Sequence, residues 1–81
     1  MIKVLFFAKL REELNINELG IEFKSDIASI GDLYNSLLKD YPQIDNIKNI
    51  KSAVNQELVK NWDFTLKDGD EVAFFPPITG G

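Results

Sequence analysis

The residues of this 81-residue chain best suited to chemistry are its last six, Pro76-Pro77-Ile78-Thr79-Gly80-Gly81. Two prolines favour an extended, polyproline-like lead-in, and two glycines close it without side chains. Six extended residues reach about 20 Å at roughly 3.3 Å each. Such an end can carry the terminal carboxylate of Gly81 into another protein's pocket. Glycine lets the backbone pack close against a pocket wall and leaves the acyl carbon open to a nucleophile. A terminal carboxylate, with a pKa of about 3.3–3.7, is ionised at neutral pH and is a poor electrophile. It needs activation first, for instance as an acyl-adenylate. Two terminal glycines taken alone also fit an inert, frayed end, so the rest of the chain has to decide.

Composition narrows the choice. There is no cysteine, which removes disulfides, iron–sulfur clusters and a thiol nucleophile. There is no histidine, the commonest general base and metal ligand. Glu12, Glu13, Glu18, Asp68, Asp70 and Glu71 show no spacing that singles out an acid–base dyad, and read as a solvated face or as charge that steers a basic partner. Lys9, Lys60 and Lys67 carry no sign of catalytic burial. A net charge of −4 and a pI near 4.6 argue against nucleic acid, whose phosphates demand a basic surface, and against an anionic membrane. The apolar run after Lys3 is too short for a signal peptide, since Lys9, Arg11, Glu12 and Glu13 follow it. No stretch approaches the roughly 20 apolar residues of a membrane span. The expectation is one soluble, cytoplasmic domain over residues 1–81 with a flexible tail at 76–81.

The elements that would position the tail can be read from periodicity. Residues 2–8 predict a strand apolar on both faces, Ile2, Val4 and Phe6 against Leu5 and Phe7, as suits the centre of a sheet. Residues 9–14 predict a turn or two of helix. Leu19, Ile21 and Phe23 alternate with Gly20, Glu22 and Lys24 and predict a second strand over 19–24. Ile30, Leu33, Tyr34, Leu37, Leu38 and Tyr41 form one helical stripe, with Ser29 and Asp32 close to a capping box and Pro42 as the stop. Residues 43–51 fit either a helical turn or a loop. Residues 52–56 and 58–59 predict strands near a turn. Lys67-Asp68-Gly69-Asp70 predicts a turn needing glycine, before a last strand at 71–75 that Pro76 and Pro77 end. The order β-β-α-β-β-β with one good helix predicts an α+β fold: a mixed sheet of about five strands curled over that helix, the two most apolar strands central and parallel. That is the β-grasp, or ubiquitin-like, arrangement.

The segment Asp68-Gly-Asp-Glu-Val-Ala-Phe-Phe-Pro-Pro-Ile-Thr-Gly-Gly81 closely resembles the C-terminal signature of the small, sulfur-carrying subunits of molybdopterin synthases. Met1-Ile-Lys-Val-Leu-Phe-Phe-Ala8 with Arg11-Glu12 resembles that family's start, and Ala53-Val-Asn-Gln56 its middle. Residues 42–51 and 60–66 are the least distinctive. The resemblance implies that an ATP-dependent, E1-like activating enzyme adenylates Gly81, and that a sulfur donor protein converts the adenylate to a thiocarboxylate. It further implies that the tail, Pro77, Ile78, Thr79 and Gly80, inserts into the large synthase subunit. There the sulfur helps build the dithiolene of molybdopterin from cyclic pyranopterin monophosphate. Two small and two large subunits are expected to assemble. The small subunit is then a non-catalytic carrier that binds no cofactor of its own, ATP and magnesium being used by the activating enzyme.

The sheet face turned away from the helix should expose Leu5, Phe7 and Phe75, and grouped exposed aromatics usually mark a partner surface. Leu58 is a weaker candidate for the same surface, and Arg11 matches the family's interface arginine, though a solvated surface arginine fits that position equally well. A loop or the 43–51 segment covering this face is the alternative. Trp62 reads as a packer at the edge of the core. Other functional classes remain open beside the carrier of molybdopterin synthesis: a carrier for thiazole or tRNA thiolation, a ubiquitin-like protein modifier, and a plain binding module with an inert tail.

Overall fold

The computed structural model describes residues 1–77. Ile2, Val4 and Phe6 alternate along β1, Ile2–Phe6, and turn into the core. The strand ends two residues earlier than the apolar pattern predicts, because Ala8 takes a left-handed φ of 54° and turns the chain into α1, Ala8–Leu14. This helix buries Leu10 and Leu14. Asn15, also left-handed at φ 58°, caps it, a conformation asparagine tolerates better than most residues. The chain then returns as β2, Glu18–Ile21, shorter than the predicted 19–24. Phe23 lies beyond its end, at the surface.

The predicted main helix forms as α2, Ile30–Asp40. The Ser29 hydroxyl accepts from the Asp32 N–H at 3.1 Å and the Asp32 carboxylate accepts from the Ser29 N–H at 3.2 Å, a reciprocal box that satisfies two of the helix's open donors. Tyr41, held out of helical geometry before Pro42, ends it. Ile30, Leu33 and Leu37 are buried on its inner face, worth about 5–9 kcal/mol of transfer free energy before entropy is counted. Pro42–Asn46, ambiguous in sequence, is a short 3-10 helix that buries Ile44.

Two short strands follow, β3, Lys51–Val54, and β4, Glu57–Val59. The predicted strand over 52–56 is thereby corrected at its end: Asn55 and Gln56 both have positive φ, 50° and 72°, and make the two-residue hairpin turn, as Val54 pairs with Glu57. Gly69, at φ 95°, supplies the turn before β5, Glu71–Phe75.

The sheet order is β2-β1-β5-β3-β4. β1 and β5 are parallel and every other pairing is antiparallel. β5 lies at the centre with β1 beside it, as two strands apolar on both faces require. Both helices and the 3-10 turn bury their apolar residues in one cluster with Ile2, Val4, Phe6, Val54, Val72 and Phe74. Ser52 is the buried polar residue there, and its hydroxyl donates to the Val59 carbonyl at 3.1 Å. Among the described residues this is a β-grasp fold. Trp62 packs against Tyr34 and Phe74, at centroid distances of 4.9 and 5.8 Å, so it stands at the edge of the core as its sequence context suggests.

Candidate partner surface at the root of the tail

Register fixes what the outer face of the sheet displays. Leu5 pairs with Ala73, Ala73 with Ala53, and Ala53 with Leu58. These residues form one transverse row, two leucines flanking two alanines, with Glu18 of β2 beyond Leu5. Period-two alternation points all of them away from the helix. The two alanines make a shallow trough, a feature the sequence analysis missed; its signal is the opposite parity of Ala53 and Ala73 to buried Val54 and Val72.

One step toward the end of β5 lies a second row. The Phe7 N–H donates to the Phe74 carbonyl at 3.2 Å, which continues the parallel register past the Phe6–Phe74 pair and sets Phe7 beside Phe75. Lys51 pairs with Phe75 on its other side. Phe7 is 44% exposed and Leu58 58%, while Leu5 and Phe75 are half-buried. Neither helix covers Phe7. Arg11 is exposed on α1 one turn after Phe7, its N–H bonded to the Phe7 carbonyl at 3.4 Å.

The opposite end of this face is charged. Lys3 stands between Glu18 and Glu71, at 3.7 and 4.0 Å, so its charge is matched locally. The outer face therefore has a polar end at the start of β5 and an apolar end where β5 gives way to Pro76 and Pro77, both half-buried. β5 is held by β1 on one side and β3 on the other, and so the tail leaves from the central strand of the sheet. Ile78, Thr79, Gly80 and Gly81, with which the tail's chemistry is concerned, lie outside the described residues.

Among the described residues no group of three or more Asp or Glu side chains converges to hold a metal ion, and no helix is long and apolar enough to cross a membrane. Burial, and secondarily the nearby Asp45 carboxylate, raises the Tyr34 phenol above its ordinary 10.0.

The sequence of residues 4–81 matches the ThiS family. The chain belongs to that family. Among relatives of this ThiS-family chain is the molybdopterin synthase sulfur carrier subunit of Chlamydomonas reinhardtii, 45% identical, with 99% of this chain and 98% of the relative covered. The subunit of the same description from Escherichia coli is 42% identical over the whole of both chains. Among solved structures, a protein described as a putative molybdopterin converting factor subunit 1 from Pyrococcus furiosus superposes with a TM-score of 0.82 at 31% identity, covering 95% of this chain and 97% of that one. The family match includes both rows of the outer face and extends through the two glycines. This ThiS-family chain thus combines a full-length likeness to carrier subunits with an apolar, outward-facing patch at the root of its tail.

Proposed function

We propose that this protein is the sulfur carrier of a molybdopterin synthase and that Gly81 bears the sulfur. The observation that carries this reading is the full-length likeness to carrier subunits, 45% over 99% of the chain for one of them. The outer face supports it by grouping Phe7 and Phe75 where β5 ends, with Leu5 and Leu58 in the adjoining row.

The Gly81 carboxylate attacks the α-phosphorus of ATP in an E1-like activating enzyme. Pyrophosphate leaves and an acyl-adenylate forms. Hydrosulfide delivered by a sulfur donor protein then attacks the acyl carbon, AMP departs with the bonding electrons, and a thiocarboxylate remains. The charged carrier next docks on the large synthase subunit through Phe7, Phe75, Leu5, Leu58 and Arg11. Its tail, Pro77 to Gly80, threads a narrow channel, and the sulfur enters the dithiolene made from cyclic pyranopterin monophosphate. The small residues at the tail's end fit such a channel because they add no bulk beside the backbone. The carrier is itself a substrate in each step, and the catalytic groups belong to its cytoplasmic partners.

Intact mass tests the reading. Incubation with the activating enzyme, Mg-ATP and sulfide should add one oxygen-to-sulfur exchange, and the product should be alkylatable although the chain has no cysteine. Deleting Gly81 should abolish both results and leave thermal stability unchanged. Molybdopterin formation by the deletion variant with a thiocarboxylate-dependent synthase would overturn the assignment.

A further inference from the structure

A groove of about 520 Å³ lies where the connection from the 3-10 helix enters β3 and the chain leaves β4. Tyr34 and Trp62 form its half-buried floor, and Ile47 and Ile50 add apolar wall. Lys48, Lys51 and Lys60 stand exposed at its rim. The chain as a whole carries 13 acidic residues against 9 basic ones, yet here three lysines meet a single carboxylate, Asp45. Among the described residues none of these lysines makes an ion pair; the pairs formed use the N-terminus and Lys3.

The groove's position gives the charge a use. Lys51 is the register partner of Phe75, so the groove opens at the same end of the sheet as the root of the tail. A protein that takes up the tail and the apolar patch also comes within reach of this rim. On a surface of net charge −4 an acidic segment is repelled elsewhere and attracted here, which orients the encounter. Tyr34 and Trp62 pack with Phe74 at the edge of the core, yet both stay half-buried and so offer apolar ring surface beneath the lysines.

We infer that this groove docks an acidic segment of a protein that receives the tail, its carboxylates on Lys48, Lys51 and Lys60 and an apolar side chain on Tyr34 and Trp62. The inference rests on the carrier reading, since it takes its partner from there. Lys51 also stands beside Phe75 in the outer-face row, so the groove continues that surface around the edge of the sheet.

The test is the triple variant Lys48→Glu, Lys51→Glu, Lys60→Glu, titrated separately against the activating enzyme and the large subunit at low and high salt. Binding to at least one of them should weaken about tenfold or more at low salt, as loss of several rim ion pairs implies. Most of that difference should vanish near 1 M salt, where the screening length is about 3 Å. The triple Lys→Arg variant should bind like the wild type. Affinities within twofold of wild type for both proteins would overturn the inference. Saturable binding of free ATP to the wild type, lost in the triple variant, would also overturn it and reassign the groove to a small anion. Phe7→Glu, measured alongside, separates the two readings. If it weakens binding while the triple variant does not, only the groove assignment fails. If the wild-type protein binds neither partner and gains no sulfur, the carrier reading fails and the groove assignment with it.

Discussion

Phe7 and Phe75 stand side by side on the outer face of the sheet, although nearly the whole chain separates them in sequence. The bond from the Phe7 N–H to the Phe74 carbonyl, at 3.2 Å, sets this neighbourhood. On the inner face the preceding pair, Phe6 and Phe74, stacks with centroids 6.4 Å apart and is almost fully buried. Two adjacent phenylalanine pairs thus have opposite surroundings, and substitutions in them should have opposite consequences.

For the outer pair, the consequence is on association. Phe7→Glu or Phe75→Glu should weaken binding to the large synthase subunit by about 2–4 kcal/mol, as central aromatic anchors do. Calorimetric titration against that subunit measures it. Phe7→Glu should leave the urea midpoint nearly unchanged, because the ring is 44% exposed. An unfolded variant would place these residues in the core instead.

For the inner pair, the consequence is on stability. Phe74 is 1% exposed and contacts Phe6, Tyr34 and Trp62. Phe74→Ala should cost about 3–5 kcal/mol, a large share of the roughly 4–12 kcal/mol available to a chain of this size. Urea unfolding followed by Trp62 fluorescence gives the value directly, since Trp62 is the single tryptophan.

The β3–β4 turn offers a gain. Gln56 is held at φ 72°, a region where side-chain-bearing residues are strained and glycine is not. Asn-Gly is the preferred pair for such a two-residue hairpin. Gln56→Gly should therefore stabilise the fold by about 0.5–1 kcal/mol, seen as a higher urea midpoint with an unchanged slope.

Alkaline pH should act through Tyr34. Its phenol is raised above 10.0 in the fold, by burial first and the Asp45 carboxylate second. The unfolded chain then releases this proton at lower pH than the folded one, so the contribution to stability is intact below about pH 10 and is lost as pH rises through the folded value. The thermal midpoint should fall more steeply above pH 10 in the wild type than in Tyr34→Phe, which has no phenol to ionise. Equal slopes would show that other groups carry the alkaline transition.

Much of this protein is written in local pattern. The α2 stripe, its Ser29–Asp32 cap and its stop at Pro42 depend on residues within four positions of one another, and the sequence alone determines them. The two-faced apolarity of β1 and β5 likewise implies a central, parallel pair, because only buried strands can afford it. The Gly69 turn and the family signature from Asp68 to Gly81 are equally legible. Strand ends were not: Ala8 and Gln56 adopt left-handed backbone that their side chains do not advertise, and they do so because the surrounding sheet and helix require the chain to turn there. Parity turns Ala53 and Ala73 outward, but it could not align them between Leu5 and Leu58, nor gather Lys48, Lys51 and Lys60 over Tyr34 and Trp62. Those neighbours come from four strands, from α2 and from the loops before β3 and after β4, and their meeting depends on pairing register and on how the loops close. Register is a long-range property, set by how all the strands bury their apolar faces together, so only the tertiary structure decides which side chains share a surface.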